Sequence, residues 1–142
     1  MTRKKIGFII HPRNVTDVKY LFPPARLLSR QGLKAFIRML PPYRFISLNG
    51  IKSKTGFEID GFGIVCPLLP EQMVGSEEPF AIRKITECIK LAKRLGAEIV
   101  GLGGFTSIIG SGGEIVARDA GVAVTSGNTY TASLVIEGVA SY

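Results

Sequence analysis

Two short glycine-containing stretches carry the residue types with which this chain could do chemistry. The first is Gly101-Leu-Gly-Gly-Phe-Thr-Ser-Ile-Ile-Gly110, and the second, shortly after it, is Thr125-Ser-Gly-Asn-Thr-Tyr-Thr-Ala132. Each follows an apolar strand-like run and leads into the start of a helix. Such turns in consecutive β-α units lie on one edge of a parallel sheet, where α/β proteins bind ligands. Glycine lets the backbone come close to a ligand, and a helix N-terminus offers unpaired N–H groups and a dipole that favours an anion. Thr106, Ser107, Ser111, Ser126, Asn128 and Thr129 add hydroxyls and an amide, suited to a carboxylate, hydroxyl, thioester or phosphate. The competing reading is that these side chains only cap helices, as Ser111 and Asn128 are placed to do. No Ser-His-Asp or Cys-His arrangement can be assembled, so binding fits the inventory better than nucleophilic catalysis.

Several chemistries lack their residues. In a dinucleotide fingerprint built on Gly101 and Gly103 the third glycine would fall at Thr106, and no acid ends the next strand, Val122 to Thr125. A phosphate loop needs a lysine, and none follows Lys93. The sequence therefore argues against a nucleotide cofactor on this chain. His11, the single histidine, is open to two readings: an active-site group at the sheet edge, or a loop cap, which is the commoner case. One histidine and two distant cysteines give no metal-ligand spacing. Cys66, before a proline at a strand end, has nothing nearby in sequence to lower its pKa and reads as an inert thiol, while Cys88 flanks an apolar helix face and reads as core.

The elements that must position these turns are well punctuated. Lys4 to Ile10 reads as a buried first strand ended by His11-Pro12. Asn14 or Thr16 can cap a helix that Pro23-Pro24 interrupts, and a second amphipathic piece runs from Leu33 to Leu40 after the break expected at Gly32. Arg44 to Lys52 and Phe57 to Val65 flank Ser53-Lys-Thr-Gly56, most simply a hairpin. The clearest helix spans Pro79 to Leu95, with Ile82, Ile85, Ile89, Ala92 and Leu95 on one side and Ser76 as its N-terminal signal. Ala97 to Leu102 is a strand. Ser111-Gly-Gly-Glu114 fits a capping box opening a short helix, Ile115 to Ala120. Val122 to Thr125 is the last strand, and Asn128 or Thr129 caps a final helix. Mostly βα alternation with one hairpin predicts an α/β, three-layer sandwich on a mostly parallel sheet.

A chain of 142 residues with 46% hydrophobic residues and a mean hydropathy of +0.27 is expected to be one domain, residues 1–142, with a substantial core. Cysteine usage and the absence of a secretory-type start predict a cytoplasmic protein, and no apolar run approaches the length needed to cross a bilayer. Charge is uneven: residues 1–54 hold 12 Lys/Arg against one acid, whereas residues 55–142 hold 6 against 10. The basic part points to an anionic partner or simply to a solvated face. Its cations are scattered rather than gathered into a reading motif, which argues against nucleic acid. Arg26, Arg30, Lys34 and Arg38 would share one face only on a continuous helix.

Leu102-Gly-Gly-Phe-Thr-Ser-Ile-Ile109 and Thr125-Ser-Gly-Asn-Thr-Tyr-Thr-Ala132 resemble two motifs of the long-chain acyl-[acyl-carrier-protein] reductases and related amino-acid dehydrogenase-like proteins. Weaker echoes, in the same order, are Gly7 to His11, Thr55-Gly56 and Leu69-Pro-Glu71. The resemblance implies the N-terminal, substrate-side domain of an NAD(P)H-dependent oxidoreductase, similar to that of amino-acid and shikimate dehydrogenases, with the Rossmann domain outside this chain. It implies reduction of an acyl thioester to an aldehyde, or a related dehydrogenation. The implied substrate wall comprises Gly103, Gly104, Phe105, Thr106 and Ser107 from the first turn, Ser126, Gly127, Asn128 and Thr129 from the second, and His11. Arg26, Arg30, Lys34 and Arg38 would dock an acidic acyl carrier protein. The nucleophilic cysteine of the reductases belongs to the absent region, so neither Cys66 nor Cys88 inherits it. Tyr130 stands where the reductases tend to have histidine, and Ser126 where they have threonine, which leaves the substrate open. The alternative is a stand-alone binding or regulatory module for a small anionic ligand. The oligomeric state, a homo-oligomer included, is left open.

Overall fold

The computed structural model describes residues 4–140, apart from the side chains of Leu21 and of residues 129–131. Five strands, β1 (Lys4–Ile10), β2 (Tyr43–Lys52), β3 (Glu58–Val65), β4 (Ile99–Leu102) and β5 (Ala123–Thr125), form one sheet in the order β2-β3-β1-β4-β5. All pairs are parallel except β2 with β3, the expected hairpin, whose Gly56 has φ +82°. The α/β sandwich inferred from element order is thus present. β1 is its central strand, bonded to β3 on one side and β4 on the other.

Helix α3 (Glu78–Arg94) packs on one face of this sheet. Its inward stripe of Ala81, Ile85, Cys88, Ile89 and Ala92 meets Ile9, Ile64, Val100 and Leu102 in the main core. Ile85 and Ile89 are fully buried there, each worth roughly 1.5–3 kcal/mol of apolar transfer. Gly7 lets the helix approach: a Cβ there would lie 3.1 Å from the Ala92 Cβ. Ser76 does not cap α3. It sits in a short 3-10 turn, Gly75–Glu77, and the N-cap residue is Glu77, which makes no side-chain cap bond.

The residues between β1 and β2 build a second helical layer. α1 (Val15–Leu21) is capped by Asn14, whose side chain accepts from the Asp17 N–H, and stops at a 3-10 turn, Pro23–Leu27. α2 (Arg30–Met39) starts three residues earlier than Leu33, because the Ser29 side chain caps it by accepting the Gly32 N–H. Gly32 therefore lies inside the first turn rather than breaking the chain. The break falls at Leu28, whose ψ of 142° is extended, so Arg26 does not share a helix with Arg30, Lys34 and Arg38. Val18, Ala25, Leu33, Ile37 and Leu69 form a smaller core of their own. Polar bonds tie this layer to the rest. Arg30 and Lys34 share Glu71, Arg38 pairs with Glu77 and lies over Phe80, and the Gln72 amide donates to the Lys34 carbonyl. The buried Lys84 ammonium donates to the Leu40 carbonyl at 3.0 Å.

The stretch after β4 departs most from expectation. A 3-10 turn, Gly104–Ser107, leads into a single turn α4 (Ile109–Gly112), then α5 (Glu114–Arg118). Gly110, Ser111, Gly112 and Gly113 all have positive φ, a left-handed turn. Ser111 is consequently no cap. Gly113 takes the N-cap position without a side-chain bond, while the Glu78 carboxylate, from the start of α3, accepts the Gly110 N–H at 3.1 Å. Gly121, at φ +60°, precedes β5. α6 (Asn128–Ala140) begins at Asn128 and leaves Leu134, Val135, Ile136 and Val139 exposed.

A left-handed conformation costs an L-residue about 1–2 kcal/mol. Ser111→Gly should therefore stabilise the fold by about 1 kcal/mol in urea unfolding, whereas a loss of stability would restore Ser111 as a capping residue. The tether at Glu71 makes a second prediction. The Lys34 hydrogen bond, helped by the charges of Lys34 and Arg30 and opposed by desolvation, holds the Glu71 carboxyl below its ordinary value of 4.5. That stabilisation is present above the unfolded value and is lost as pH falls through the lower, folded one. The melting-temperature gap between the wild type and Glu71→Gln should therefore close in acid; a gap independent of pH would show that the ion pair is not its source.

Candidate functional site

The register places both glycine turns on one edge. β4 and β5 run parallel with Gly101 beside Thr125, so the chain leaves both strands in the same direction, next to the end of β1. His11 leaves β1 there and reaches the first turn. The Phe105 N–H donates to His11 Nε2 at 3.0 Å across 94 residues of sequence, and the two rings meet edge to face at 5.9 Å. The Nδ1–H donates to the Pro12 carbonyl at 3.0 Å. An imidazole that accepts at Nε2 and donates at Nδ1 is neutral, with its tautomer assigned by these two partners. His11 is thus neither a free catalytic group nor an incidental loop cap. It is the clasp of the first turn.

The glycines of that turn are explained by protein groups. Phe8 points away from α3, and its ring lies across β4. A Cβ on Gly101 would come within 2.6 Å of that ring, and one on Gly103 within 2.8 Å. Gly104 has φ +58°, and a Cβ there would fall 2.7 Å from His11 Nε2. The close approach read from these glycines is made by Phe8 and His11. The hydroxyls of Thr106 and Ser107 turn inward, both buried, and donate to the Gly103 and Gly104 carbonyls at 2.8 and 2.7 Å. They brace the turn; Gly104 and Phe105 are its exposed members.

The second turn keeps its polar groups outward. Ser126 is half-buried, Gly127 and Asn128 are exposed, and the Gly127 N–H donates to Thr125 Oγ1 at 3.2 Å. The Thr129 and Tyr130 side chains lie outside the described residues. A cavity of about 260 Å³ separates Thr125 and Ser126 from the left-handed turn, lined also by Gly112, Gly113 and Glu114. Among the described residues no lysine or arginine lines it.

A larger cavity, about 990 Å³, opens beside His11. Its floor is Ile10, Val65 and Tyr43, which the register puts on the sheet face opposite α3. Thr16, Val18 and Tyr20 of α1, Phe22, and Phe36, Ile37 and Leu40 of α2 and its end form the walls. The sequence reading missed this cavity. Its five aromatics, Tyr20, Phe22, Phe36, Tyr43 and Phe45, are spread over α1, the residue after it, α2 and β2 with no shared spacing.

The remaining candidates scatter. Arg30, Lys34 and Arg38 line one side of α2, already paired to Glu71 and Glu77, and Arg26 stands apart on the 3-10 turn. Cys66 and Cys88 are both fully buried in the main core. The neighbouring Cys66 sulfur and burial push the Cys88 thiol far up, so it is no thiolate nucleophile. Among the described residues no cluster of His, Cys, Asp and Glu could hold a metal ion, and no helix is long and apolar enough to cross a membrane.

No protein-family model matches the chain. It is 36% identical over 137 residues to the aminotransferase PigE of a Serratia species, covering 89% of this chain and 16% of that protein. It is 33% identical over 116 residues to the long-chain acyl-[acyl-carrier-protein] reductase of Synechococcus elongatus, covering 77% of this chain and 33% of that protein. The chain thus spans about a sixth and a third of these curated relatives. The reductase supports one side of the resemblance drawn from the two motifs; neither relative supports its shikimate-dehydrogenase side.

Proposed function

We propose that this chain is an oxidoreductase-related domain that forms the substrate side of an active site completed by an NAD(P)H-binding domain outside this sequence, acting on an acyl thioester. The observation that carries this reading is the clasp between His11 and the Gly103–Ser107 turn. It fixes one wall at the sheet edge, with the outward-facing Ser126 and Asn128 one strand away. The likeness to part of a long-chain acyl-[acyl-carrier-protein] reductase supports the thioester. The turns support a role in binding without cofactor, because the glycines that would approach a pyrophosphate are filled by Phe8 and His11. In this reading Ser126 and Asn128 hold the polar head, and Phe105 packs against it. An acidic acyl carrier protein would meet Arg26 and the outer sides of Arg30, Lys34 and Arg38, with electrostatics chiefly speeding and orienting the encounter.

The stand-alone module for an anion finds less support. The Phe105 N–H is already taken by His11, and among the described residues Glu114, with no cation, lines the cavity between the turns.

Titration of the chain with an acyl-pantetheine thioester and, separately, with NADPH tests the proposal. The thioester should bind, and Gly104→Ala, which drives a methyl against His11, should weaken it about tenfold. NADPH should show no appreciable binding. Tight NADPH binding, or an unchanged thioester affinity in Gly104→Ala, would overturn the reading.

A further inference from the structure

The sheet face opposite α3 is sheltered at one end only, where α1 and α2 stand over Ile10, Val65 and Tyr43. Beyond that end the register sets Ile46 and Phe8 in one row, on either side of Gly63. The next row holds Leu48, Ile6 and Ile99, with Gly61 between the first two. Ile51 continues it along β2. A Cβ on Gly63 would lie 2.8 Å from Ile46 Cγ2, and one on Gly61 3.3 Å from Ile51 Cδ1. The aliphatic side chains of β2 therefore lean over β3, and the face is a flat apolar plate. Phe8, Ile46, Leu48, Ile51 and Ile99 are 39–50% exposed on it. Parallel sheets have both faces covered, and three of the four strand pairs here are parallel.

α6 is the complementary case. Every residue from Ala132 to Ala140 is exposed, with Leu134, Val135, Ile136 and Val139 at 49–71%. Glu137 is the one charged residue in its sequence. A helix that is apolar on all sides belongs in an interior. α6 does not fold back on its own sheet, and its link to β5 is only Ser126 and Gly127. Laid along the strands from there it would lie over β5 and β4, whereas β2 is four strand spacings from β5, about 19 Å. The plate thus calls for a helix that its own chain does not supply, and the helix for a surface that its own chain does not offer.

We propose that two copies of the chain pair about a two-fold axis, α6 of each lying on the β2–β3–β1 plate of the other. One operation then satisfies both surfaces twice, as a self-complementary contact requires. The area agrees. At roughly 80–100 Å² for a half-exposed large side chain, plate and helix together present on the order of 800 Å² of apolar surface per copy, what a stable dimer buries on each partner. A patch of that size is unusual on a monomer. Because α6 starts at Asn128, seating it on the second copy also anchors the Ser126–Asn128 turn. The pairing rests on the exposed surfaces and not on the thioester reading.

Light scattering on the full chain during gel filtration tests this. The wild type should run at twice its 15.3 kDa. Leu48→Lys on the plate and Ile136→Lys on α6 both alter exposed positions, so each should keep the wild-type far-UV spectrum. Each should nevertheless raise the dimer dissociation constant at least a hundredfold, since every change strikes both contacts. Mixing the two variants should restore a weak dimer, because one helix-on-plate contact then remains intact. A monomeric wild type overturns the proposal and leaves the plate to another occupant, such as a further domain. A dimer indifferent to Ile136→Lys would be plate on plate, and one indifferent to Leu48→Lys would be helix on helix. Either result, or a mixture that stays monomeric, rejects the reciprocal arrangement.

Discussion

The arrangement hangs on how tightly β1 is held between α3 and β4. Gly7 brings α3 so close that an alanine, Ala92, is the contact, and this seats Ile9 in the main core. One residue along, the side chain changes face, and Phe8 lies across the backbone of β4 where Gly101 and Gly103 leave room. Three residues beyond that, His11 leaves the strand at the one height from which it can meet the Phe105 N–H. The position of the clasp is thus inherited from packing at Gly7 and Phe8, and a close-packed interior transmits any change there.

Much of the fold was legible because local and tertiary preferences agree. The α3 stripe, the Asn14 cap, the hairpin at Gly56 and the parallel order all follow from periodicity and punctuation. The exceptions are informative. Gly32 looked like a break, yet a glycine beside the Ser29 cap costs a helix little, and the real interruption is the extended Leu28. Ser111-Gly-Gly-Glu114 has the spacing of a capping box, but a carboxylate from Glu78, distant in sequence, organises the loop instead. Three glycines make a left-handed path cheap, and Ser111 is carried along it.

The site was half legible. The placement of two turns on one edge follows from strand order, but what fills the space around their glycines does not. A glycine motif reports that something approaches the backbone, and here that something is Phe8 and His11 rather than a ligand. The basic row on α2 was visible as charge, while its partners Glu71 and Glu77, far along the chain, were not. The cavity was illegible for a related reason. Its lining comes from two helices, a strand end and the connecting loops, with no repeat spacing that would mark them as neighbours.

His11 ties one last consequence to this geometry. Its Nε2 lone pair is either a hydrogen-bond acceptor for the first turn or a seat for a proton, and it cannot be both. Whatever holds Phe105 down keeps that nitrogen occupied, and whatever lifts it frees the nitrogen. The side chain that fastens the wall is also a gauge of whether the wall is closed.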